Sequence, residues 1–405
     1  MRDPYFHEQV LGIKSPWRVD DVRVDKQAKT VETHVVHEGQ AQCPRCQADS
    51  PRYDHRERRF RHLDLYEYRA FVLVRVPRID CAEHGVQQLP IPWADGRTGF
   101  TALFERLAIA LLGEMSISAV AKTLGLSWSE VDTIMHRAVA RGIARRTDRP
   151  LRRIGIDEKS VKKRHVYFTI VTDLDTNEVL WTGRGRKRET LDAFWSGLSA
   201  EVRAGIEGVA MDMHEPYFRS TLEHLPNAAE KIVFDKFHVM MQLSRAVDAT
   251  RRAIVREGGR ESSGLKRTRF LWLHAKAKLD EQQRTQIDLL REKYVRLGIA
   301  WGQKEFFGEF WTAKTVEAGR AFFAEWFAAV KRTFNEPMIA AGRTIDRHLE
   351  NILTYLQMPI TNAAAEGMNS RIQLLKFRAR GFRNASRFER AIMFQFGGLD
   401  LNPPT

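Results

Sequence analysis

The sequence predicts a multidomain α/β protein. The chain has 405 residues, 43% of them hydrophobic, which is enough to bury large cores, and this length predicts about two to four domains. Residues 154–239 alternate strand patterns with amphipathic helix patterns, whereas residues 240–358 are helical in pattern. All three cysteines lie before residue 82. We therefore expect an N-terminal cysteine-containing domain, an α/β core and a helical insertion.

The α/β segment opens with three strand patterns. Ile154–Asp157 is apolar and ends on a carboxylate, and His165–Thr172 is β-branched and aromatic. Glu178–Gly183 follows the turn-forming residues Asp173–Asn177. The first two strands are expected to form a hairpin that carries Asp157.

The same segment continues as helix, strand, helix and strand. A predicted helix over Glu189–Ala204 precedes the short strand Gly208–Met211, which ends on Asp212. A helix over Tyr217–Leu225 then leads to a last strand over Lys231–Phe234. This order of elements matches a ribonuclease H-like sheet, in which the first and fourth strands can lie side by side. We therefore expect Asp157 and Asp212 to lie close together.

Glu366 is the best candidate for a third acidic residue. It lies in the segment Asn362–Asn369, where alanines favour a helix that Thr361 or Asn362 can cap. Carboxylates are suitable ligands for two Mg²⁺ or Mn²⁺ ions, which promote displacement at phosphorus by water or by a 3′-hydroxyl. Each acid taken alone is more typical of a turn or a helix cap. The order of elements favours a two-metal, DNA-cutting site.

Other polar residues surround this predicted site. Glu158 is expected to point away from Asp157, because side chains alternate along a strand. Asp235 and His238 follow the last strand and either support the site, contact DNA or have a purely structural role. Asn369, one turn after Glu366, either contacts DNA, orients the metal site or only stabilises the helix.

Four motifs in this order resemble those of a known family: Gly155-Ile156-Asp157-Glu158, Ala210-Met211-Asp212-Met213 with Pro216-Tyr217, Phe234-Asp235-Lys236-Phe237-His238, and Asn362–Asn369. Together they resemble the bacterial ISL-three type insertion-sequence transposases, over nearly the whole chain. The resemblance implies a DDE enzyme with Asp157, Asp212 and Glu366 as its catalytic triad and with two Mg²⁺ or Mn²⁺ ions in the active site. It also implies cleavage at the ends of a mobile element, joining of the freed 3′-hydroxyls to target DNA, and at least two protomers in the working complex.

The cysteines predict one structural zinc site. Cys43-Pro44-Arg45-Cys46 and Cys81-Ala82-Glu83-His84 each place two ligands around a two-residue spacer, and zinc binds four such ligands tetrahedrally. The strand-like segment Tyr68–Val76 lies between the two motifs, so a hairpin is expected to join them. The alternative is a set of reduced cytosolic thiols. No disulfide is expected, because we expect no export signal.

Three histidines are candidates for the fourth zinc ligand. His84 occupies a position at which the family usually has a cysteine, and two other histidines, His55 and His62, are rival ligands.

A helix-turn-helix is predicted between the zinc motifs and the α/β segment. Residues 116–127 hold a helix, a glycine turn and a serine cap, and Trp128–Arg141 then forms the second helix. An ordinary helical hairpin has the same pattern, but the basic linker Arg145–Arg153 favours DNA binding. The candidate DNA-facing residues are Ser127, Ser129, Thr133, Arg137 and Arg141.

The charge of the chain predicts a polyanionic partner. Lys and Arg number 65 against 51 Asp and Glu, and the formal net charge is +14, which favours nucleic acid; the family resemblance implies double-stranded DNA. The positive charge is dense after Glu366, where DNA contacts are expected from Arg371, Lys376, Arg378, Arg380 and Arg383.

We expect no membrane span, because even the apolar stretch Ala321–Val330 is short and contains Glu325. A cytoplasmic, nucleoid-associated protein is therefore predicted.

The tryptophans at 272, 301, 311 and 326 are expected to form core contacts, although one of them can also support a distorted DNA end. The proline-containing tail, Leu401–Thr405, is expected to fray.

The predicted domains are a zinc-binding domain (residues 1–98), a helix-turn-helix (99–144), the first part of the catalytic core (145–239), a helical insertion that folds on its own (240–358) and the C-terminal helices of the core with Glu366 (359–405). The predicted function is a DNA transposase. Two alternatives stay open: a zinc-dependent transcriptional regulator with a non-catalytic sheet, and a structure-selective nuclease of the same fold.

Overall fold

A computed structural model describes residues 3–95, 98–162, 166–361, 363–382 and 384–404. The side chains at positions 161, 162, 166, 259–261, 363, 364 and 366 also lie outside the described part of the structure. Among the predicted site residues, Arg383 and the side chain of Glu366 are therefore not described. The chain forms two compact units: Met1–Arg146 together with Leu399–Thr405, and Thr147–Gly398.

The first unit begins with a helix and a five-stranded sheet. The strand order is β1-β2-β4-β3, with β5 paired to β4; β2 and β4 run parallel and the other pairs antiparallel. Burial alternates along β2 and β4, so one face of the sheet, with Val31, Phe60 and Val74, forms a core. The elements are α1 (Pro4–Leu11), β1 (Trp17–Asp25), β2 (Thr30–His37), β3 (Arg52–Arg61), β4 (Arg69–Cys81) and β5 (Gly85–Gln88).

Three helices complete this unit: α2 (Ala102–Glu114), α3 (Ile117–Leu124) and α4 (Trp128–Arg145). The caps lie where the sequence predicted them. Gly125 ends α3 in a left-handed conformation with φ of 64°, and Ser127 begins α4 with a capping box to Glu130. The predicted helix, turn and helix are therefore confirmed, and the second helix continues four residues beyond its predicted end.

The prediction of a frayed C-terminal tail is wrong for residues 401–404. Arg141 donates to the carbonyl of Leu401 at 2.8 Å, and Arg145 donates to a carboxylate oxygen of Asp400 at 2.7 Å. A Cβ on Gly142 would lie 2.7 Å from the Cβ of Leu399, so only glycine permits this close approach. The tail is held in place by hydrogen-bond donors of α4 and by this close approach at Gly142.

A buried histidine supports the start of α2. The Nδ1 of His62 lies 2.8 Å from the hydroxyl of Thr101, and Thr101 in turn caps α2 by accepting a hydrogen bond from the N–H of Phe104. Burial lowers the pKa of His62 to about 4, and the positive charge of Arg61 acts in the same direction. The folded unit therefore holds this imidazole neutral.

This pKa predicts a pH dependence of stability for the first unit. Between about pH 6.5 and pH 4 the unfolded chain binds a proton on His62 that the folded unit excludes, so stability is lost as the pH falls, by about 3 kcal/mol in total. Chemical denaturation across this window should show a shallower pH slope for His62→Asn, which keeps a polar atom near the position of Nδ1. Equal slopes for the variant and the unmodified chain would contradict the assignment.

The second unit contains another five-stranded sheet, in the order β10-β9-β6-β7-β8. The first three strands along the chain form an antiparallel meander, and β9 and β10 run parallel to β6. The predicted pairing of the first and fourth strands of this segment is therefore confirmed. The strands are β6 (Arg153–Lys162), β7 (Val166–Asp173), β8 (Val179–Arg184), β9 (Gly208–Met211) and β10 (Ile232–Phe234).

The helices of this unit follow the predicted order with two corrections, one of which is a short helix at Ala228–Lys231 that was not predicted. The single helix predicted over Glu189–Ala204 is two helices, because the chain turns at Gly197 and Ser199 caps a new helix. The helices are α5 (Arg188–Ser196), α6 (Ala200–Gly205), α7 (Glu215–His224), α8 (Ala228–Lys231), α9 (Lys236–Glu257), α10 (Arg269–Leu273), α11 (Glu281–Lys293), α12 (Val295–Phe306), α13 (Val316–Arg332), α14 (Glu336–Arg347), α15 (Leu349–Gln357), α16 (Ala363–Arg378) and α17 (Ala385–Phe396).

Helices α9 to α15 share one continuous hydrophobic core with the sheet, which joins Ile156 and Phe234 to residues such as Trp272 and Trp326. The helical insertion therefore lies in the same compact unit as the sheet, and the predicted domain boundaries stay predictions. Trp272, Trp301 and Trp326 are buried and Trp311 packs against this core, so their predicted role in packing is confirmed. Among the described residues, none of the helices is both long and apolar enough to cross a bilayer.

Candidate active site

Three aspartates lie at the same level of the second sheet: Asp157 within β6, Asp212 directly after β9 and Asp235 directly after β10. Ile156 of β6 pairs with Met211 of β9, and Met211 pairs with Phe234 of β10. Asp157, Asp212 and Asp235 are the next residues along the chain. Because the three strands run parallel, these residues lie level with one another, although β6 continues beyond Asp157 to Lys162 and is longer than the predicted strand Ile154–Asp157. The structure therefore brings Asp157 and Asp212 together, as the sequence predicted.

The carboxylate of Asp157 is held from two sides. Its Oδ1 accepts a hydrogen bond from the N–H of Glu158 at 2.7 Å, and its Oδ2 accepts one from Nδ2 of Asn369 at 2.6 Å. Asn369 belongs to α16, in which Glu366 lies one turn earlier. The helix that carries Glu366 is therefore hydrogen-bonded to the strand that carries Asp157.

Asp212 begins a short connection into α7. Its Oδ1 accepts a hydrogen bond from the N–H of His214 at 3.2 Å, and the carboxylate is half-buried. Pro216 lies in the first turn of α7, where proline favours helix initiation. The connection thus leaves the side chain of Asp212 at the sheet edge.

Tyr217 forms a buried part of this site that the sequence argument did not assign. Its hydroxyl lies 2.7 Å from the hydroxyl of Thr169 on β7. Burial raises the pKa of Tyr217, and the negative charges of Glu158, Asp212 and Asp157 raise it further. Tyr217 is therefore a neutral hydrogen-bonding group beside the acids. The only sequence signal was its place in the Pro216-Tyr217 motif.

Lys159 is a second group that the sequence argument missed. It lies two residues after Asp157 on β6, hence on the same face of the strand, and it is half-buried. Burial lowers the pKa of Lys159; the charge of Asp157 raises it and the charge of Lys376 lowers it. Two lysines thus contribute positive potential beside Asp157. Strand alternation alone would have identified Lys159.

Three residues predicted to surround the site, Glu158, Asp235 and His238, each make a different kind of contact. Glu158 forms an ion pair with Arg186 at 3.2 Å. Asp235 is buried and caps α9, because its Oδ1 accepts a hydrogen bond from the N–H of Phe237 at 2.6 Å. His238 is half-buried, and its ring contacts the ring of Phe237 edge-on with centroids 5.5 Å apart.

The predicted basic contacts of the C-terminal segment lie mostly at the surface. Arg371, Arg378 and Arg380 are exposed, whereas Lys376 is half-buried. The guanidinium carbon of Arg371 lies 4.6 Å from the centre of the ring of Phe396, a cation–π contact that limits its motion.

The predicted DNA-facing residues of α4 divide into two groups. Ser127, Ser129 and Thr133 are exposed, although Ser127 is occupied as the cap and hydrogen-bonds the carboxylate of Glu130. Arg137 hydrogen-bonds the buried carboxylate of Glu105 on α2, and Arg141 lies near the same carboxylate.

Glu105 makes these two arginines part of the packing between α2 and α4. Burial raises the pKa of Glu105, while the charges of Arg137 and Arg141 lower it. Removing one partner of such a pair leaves an uncompensated buried charge. Both guanidinium groups are thus engaged within the first unit.

The zinc motifs meet at one point beside β4 and β5. Potential ligand atoms of Cys43, Cys46, Cys81 and His84 all lie within 4.8 Å of one another. The Sγ atoms of Cys46 and Cys81 are 3.6 Å apart, and Nδ1 of His84 lies 3.8 Å from Sγ of Cys43 and 3.7 Å from Sγ of Cys81. Two sulfur atoms bound to one zinc ion at about 2.3 Å lie about 3.8 Å apart. The cluster therefore has the dimensions of a tetrahedral Cys₃His site.

The three histidines considered as the fourth zinc ligand have different environments. His84 completes the cluster, while His62 is bound to Thr101 and His55 lies 2.7 Å from a guanidinium nitrogen of Arg75. Hydrogen bonds from the backbone and side chain of His84 lower the pKa of Cys81 to about 6. The antiparallel pairing of β3 and β4 provides the predicted hairpin between the motifs.

Models of known protein families match three parts of this chain. A family model for the DDE domain of ISL3 elements, described as a transposase, matches residues 154–392, more than half of the chain. The chain belongs to the ISL3 family of transposases. Two more models match this transposase: the helix-turn-helix domain of transposase family ISL3 over residues 89–139, and the zinc-finger of transposase IS204/IS1001/IS1096/IS1165 over residues 39–84.

Curated relatives resemble this transposase over most of their length. It is 27% identical to the transposase for insertion sequence element IS1557 of Mycobacterium tuberculosis, over 98% of this chain and 96% of the relative. It is 29% identical to the transposase for insertion sequence element IS1001 of Bordetella parapertussis, over 84% of this chain and 85% of the relative. The resemblance to insertion-sequence transposases inferred from the motifs is thus confirmed.

Proposed function

We propose that this transposase binds the terminal inverted repeats of its insertion sequence and catalyses metal-dependent cleavage and strand transfer by a DDE mechanism. The observation that carries the proposal is that Asp157 and Asp212 lie level with each other, directly after the paired residues Ile156 and Met211 of two parallel strands. The strand order of the second sheet, a three-stranded meander with two parallel strands added beside its first strand, supports a ribonuclease H-like core. Glu366 is proposed as the third catalytic acid.

The donor set of the site fits Mg²⁺ or Mn²⁺. Asp157 and Asp212 provide hard carboxylate oxygens at level positions of two neighbouring chain segments, and such oxygens are the ligands that these ions prefer. We assign two ions to these residues together with Glu366; when bound, they supply Lewis acidity for in-line displacement at phosphorus. Lys159 and Lys376 attract the scissile phosphate towards the acids, and Tyr217 remains a neutral hydrogen-bonding group beside them.

DNA recognition is proposed for both units. Cys43, Cys46, Cys81 and His84 hold one structural zinc ion, and the exposed Ser129 and Thr133 of α4 contact the bases of the element's ends. We propose that Arg137 and Arg141 instead hold α4 in place, because both are engaged with Glu105.

The exposed arginines of the C-terminal segment, Arg371, Arg378 and Arg380, are proposed to bind phosphates of the flanking DNA, together with Lys376 and Arg383. Two ends have to be paired before strand transfer, so we propose that the working complex contains at least two protomers. Its place of action is the DNA of the nucleoid.

The test is a strand-joining assay on a plasmid that carries the DNA flanking the gene. The full chain, Asp157→Asn and Glu158→Gln are each incubated with Mg²⁺ or Mn²⁺, and new 3′ ends and joints are mapped by sequencing. Glu158→Gln is the matched control, because it removes the same charge one residue away. We expect joined products at the repeat termini from the full chain and from the control, and none from Asp157→Asn.

Two results would overturn the proposal in different ways. Metal-dependent cutting without joined products would indicate a structure-selective nuclease. Specific binding to the flanking DNA with no cutting in any protein would indicate a regulator with a non-catalytic sheet.

A further inference from the structure

Asn369 occupies an unusual place for an asparagine. It lies within the sixteen-residue helix α16, where asparagine is less favourable than alanine or leucine, and it is half-buried. Its amide is directed at Oδ2 of Asp157, 212 positions earlier in the chain, at 2.6 Å. Stabilisation of the helix therefore does not explain this residue, whereas its contact with Asp157 does.

The two hydrogen bonds on Asp157 fix the plane of its carboxylate. The terminal torsion of an aspartate is broad and two-fold, so a carboxylate on a strand can rotate freely unless both oxygens are held. The N–H of Glu158 holds Oδ1 and the amide of Asn369 holds Oδ2. A carboxylate oxygen has more than one lone-pair site, so an oxygen that accepts a hydrogen bond can also bind a cation.

The chemistry of the donor matters as much as its position. An amide N–H orients the carboxylate without adding a positive charge that would oppose a bound cation. A lysine or arginine at this position would form an ion pair with Asp157 and compete with a metal ion for the same oxygens. Asn369 is thus suited to orient Asp157 while preserving its negative charge.

We propose that Asn369 is a positioning residue, which orients the Asp157 carboxylate for divalent-cation binding. The inference rests on the proposed function, since it assumes that Asp157 binds the cation. It assigns to Asn369 no contact with DNA or with the reacting atoms. Groups that orient a metal ligand in this way typically change metal affinity by about tenfold to a hundredfold when they are removed.

The experiment measures Mn²⁺ affinity directly. The full chain is bound to a duplex carrying one element end, and free Mn²⁺ is followed by electron paramagnetic resonance during a titration. Asn369→Leu keeps the approximate shape of the side chain and removes its donor, and Asn369→Ser provides a smaller variant in case the leucine disturbs packing. Gln373→Leu, one turn further along α16, is the matched control. Thermal melting and metal-free DNA binding are measured for each protein.

We expect both Asn369 variants to weaken Mn²⁺ binding by about tenfold or more, with melting temperature and metal-free DNA affinity unchanged. The Mn²⁺ concentration at half-maximal cleavage should rise by a similar factor, and saturating Mn²⁺ should restore most of the cleavage rate. Gln373→Leu should behave as the unmodified chain does.

Unchanged Mn²⁺ affinity in both Asn369 variants would overturn the inference, and a cleavage rate lowered equally at all Mn²⁺ concentrations would indicate a DNA contact instead. Asp157→Asn separates this failure from failure of the proposed function. If Asp157→Asn reduces Mn²⁺ binding and the Asn369 variants do not, only the inference fails. If Asp157→Asn also binds Mn²⁺ normally, the proposed function fails with it.

Discussion

Replacing Asp212 by asparagine should slow DNA strand cleavage by about a thousandfold or more, because the loss of a charged metal ligand removes several kcal/mol of transition-state stabilisation. The residue follows β9 directly, level with Asp157 across the paired strands. Its Oδ1 hydrogen bond to the N–H of His214 can be kept by the amide oxygen of asparagine, so the local turn should persist. The rate is measured under single-turnover conditions with excess protein on a duplex that carries one element end.

Glu215→Gln provides the control for this prediction. Glu215 lies in the first turn of α7, three residues after Asp212, and its exposed carboxylate pairs with Arg219. The substitution removes the same charge from the neighbouring surface and should change the cleavage rate by less than a factor of about three, because an exposed ion pair contributes little. A cleavage rate for Asp212→Asn within tenfold of the control would exclude Asp212 from the catalytic site.

Removing zinc should unfold the segment around the Cys₃His cluster. The side chains packed there are few, namely Ala41, Ile79 and Leu89 with the cysteines themselves, so the segment has almost no hydrophobic core of its own. In zinc-finger peptides the structural zinc ion contributes about 10 kcal/mol or more to folding. A strong chelator should therefore abolish hydrogen-exchange protection in residues 41–51 and 81–88. The core formed by residues such as Val31 and Val74 should stay protected.

His84 and one of its rivals, His55, supply the matched comparison. His84→Ala should reduce bound zinc from about one ion per chain to well below that value, whereas His55→Ala should retain it, since His55 contacts Arg75 away from the cluster. Zinc is counted by elemental analysis after dialysis. Equal zinc content in the two variants, or full protection of residues 41–51 after chelation, would refute the assignment.

The parts of the fold that sequence could predict are those set by local chemistry. Ser127 followed by Glu130 specifies a capping box, and the glycine at 125 specifies the preceding helix end, so the helix-turn-helix could be predicted with its caps. The apolar runs Ile154–Ile156 and Gly208–Met211, which precede Asp157 and Asp212, could be paired because parallel neighbours follow from the order of elements. The cysteine spacing likewise predicted that Cys43, Cys46 and Cys81 meet, whereas it left the fourth member, His84, open.

The remaining features depend on contacts between distant parts of the chain. Arg137 carries the expected charge for DNA contact, yet it pairs with Glu105, and helix periodicity alone cannot show which buried acid it meets. The same holds for the bond from Asn369 to Asp157 and for the burial of Tyr217. The break between α5 and α6 was missed because one amphipathic pattern runs through Gly197.

The arrangement of the C-terminal tail has a consequence for the order in which the protein forms during translation. Residues 399–404 pack against α4 and contribute the hydrogen-bond partners of Arg141 and Arg145, although the whole of the second unit precedes them in the chain. A ribosome synthesises a chain from its N-terminus at a finite rate. The hydrogen bonds between α4 and the tail therefore form only after the second unit has been synthesised. Chains that end early at a premature stop codon therefore lack the contacts of residues 399–404 with α4, as well as the end of the second unit.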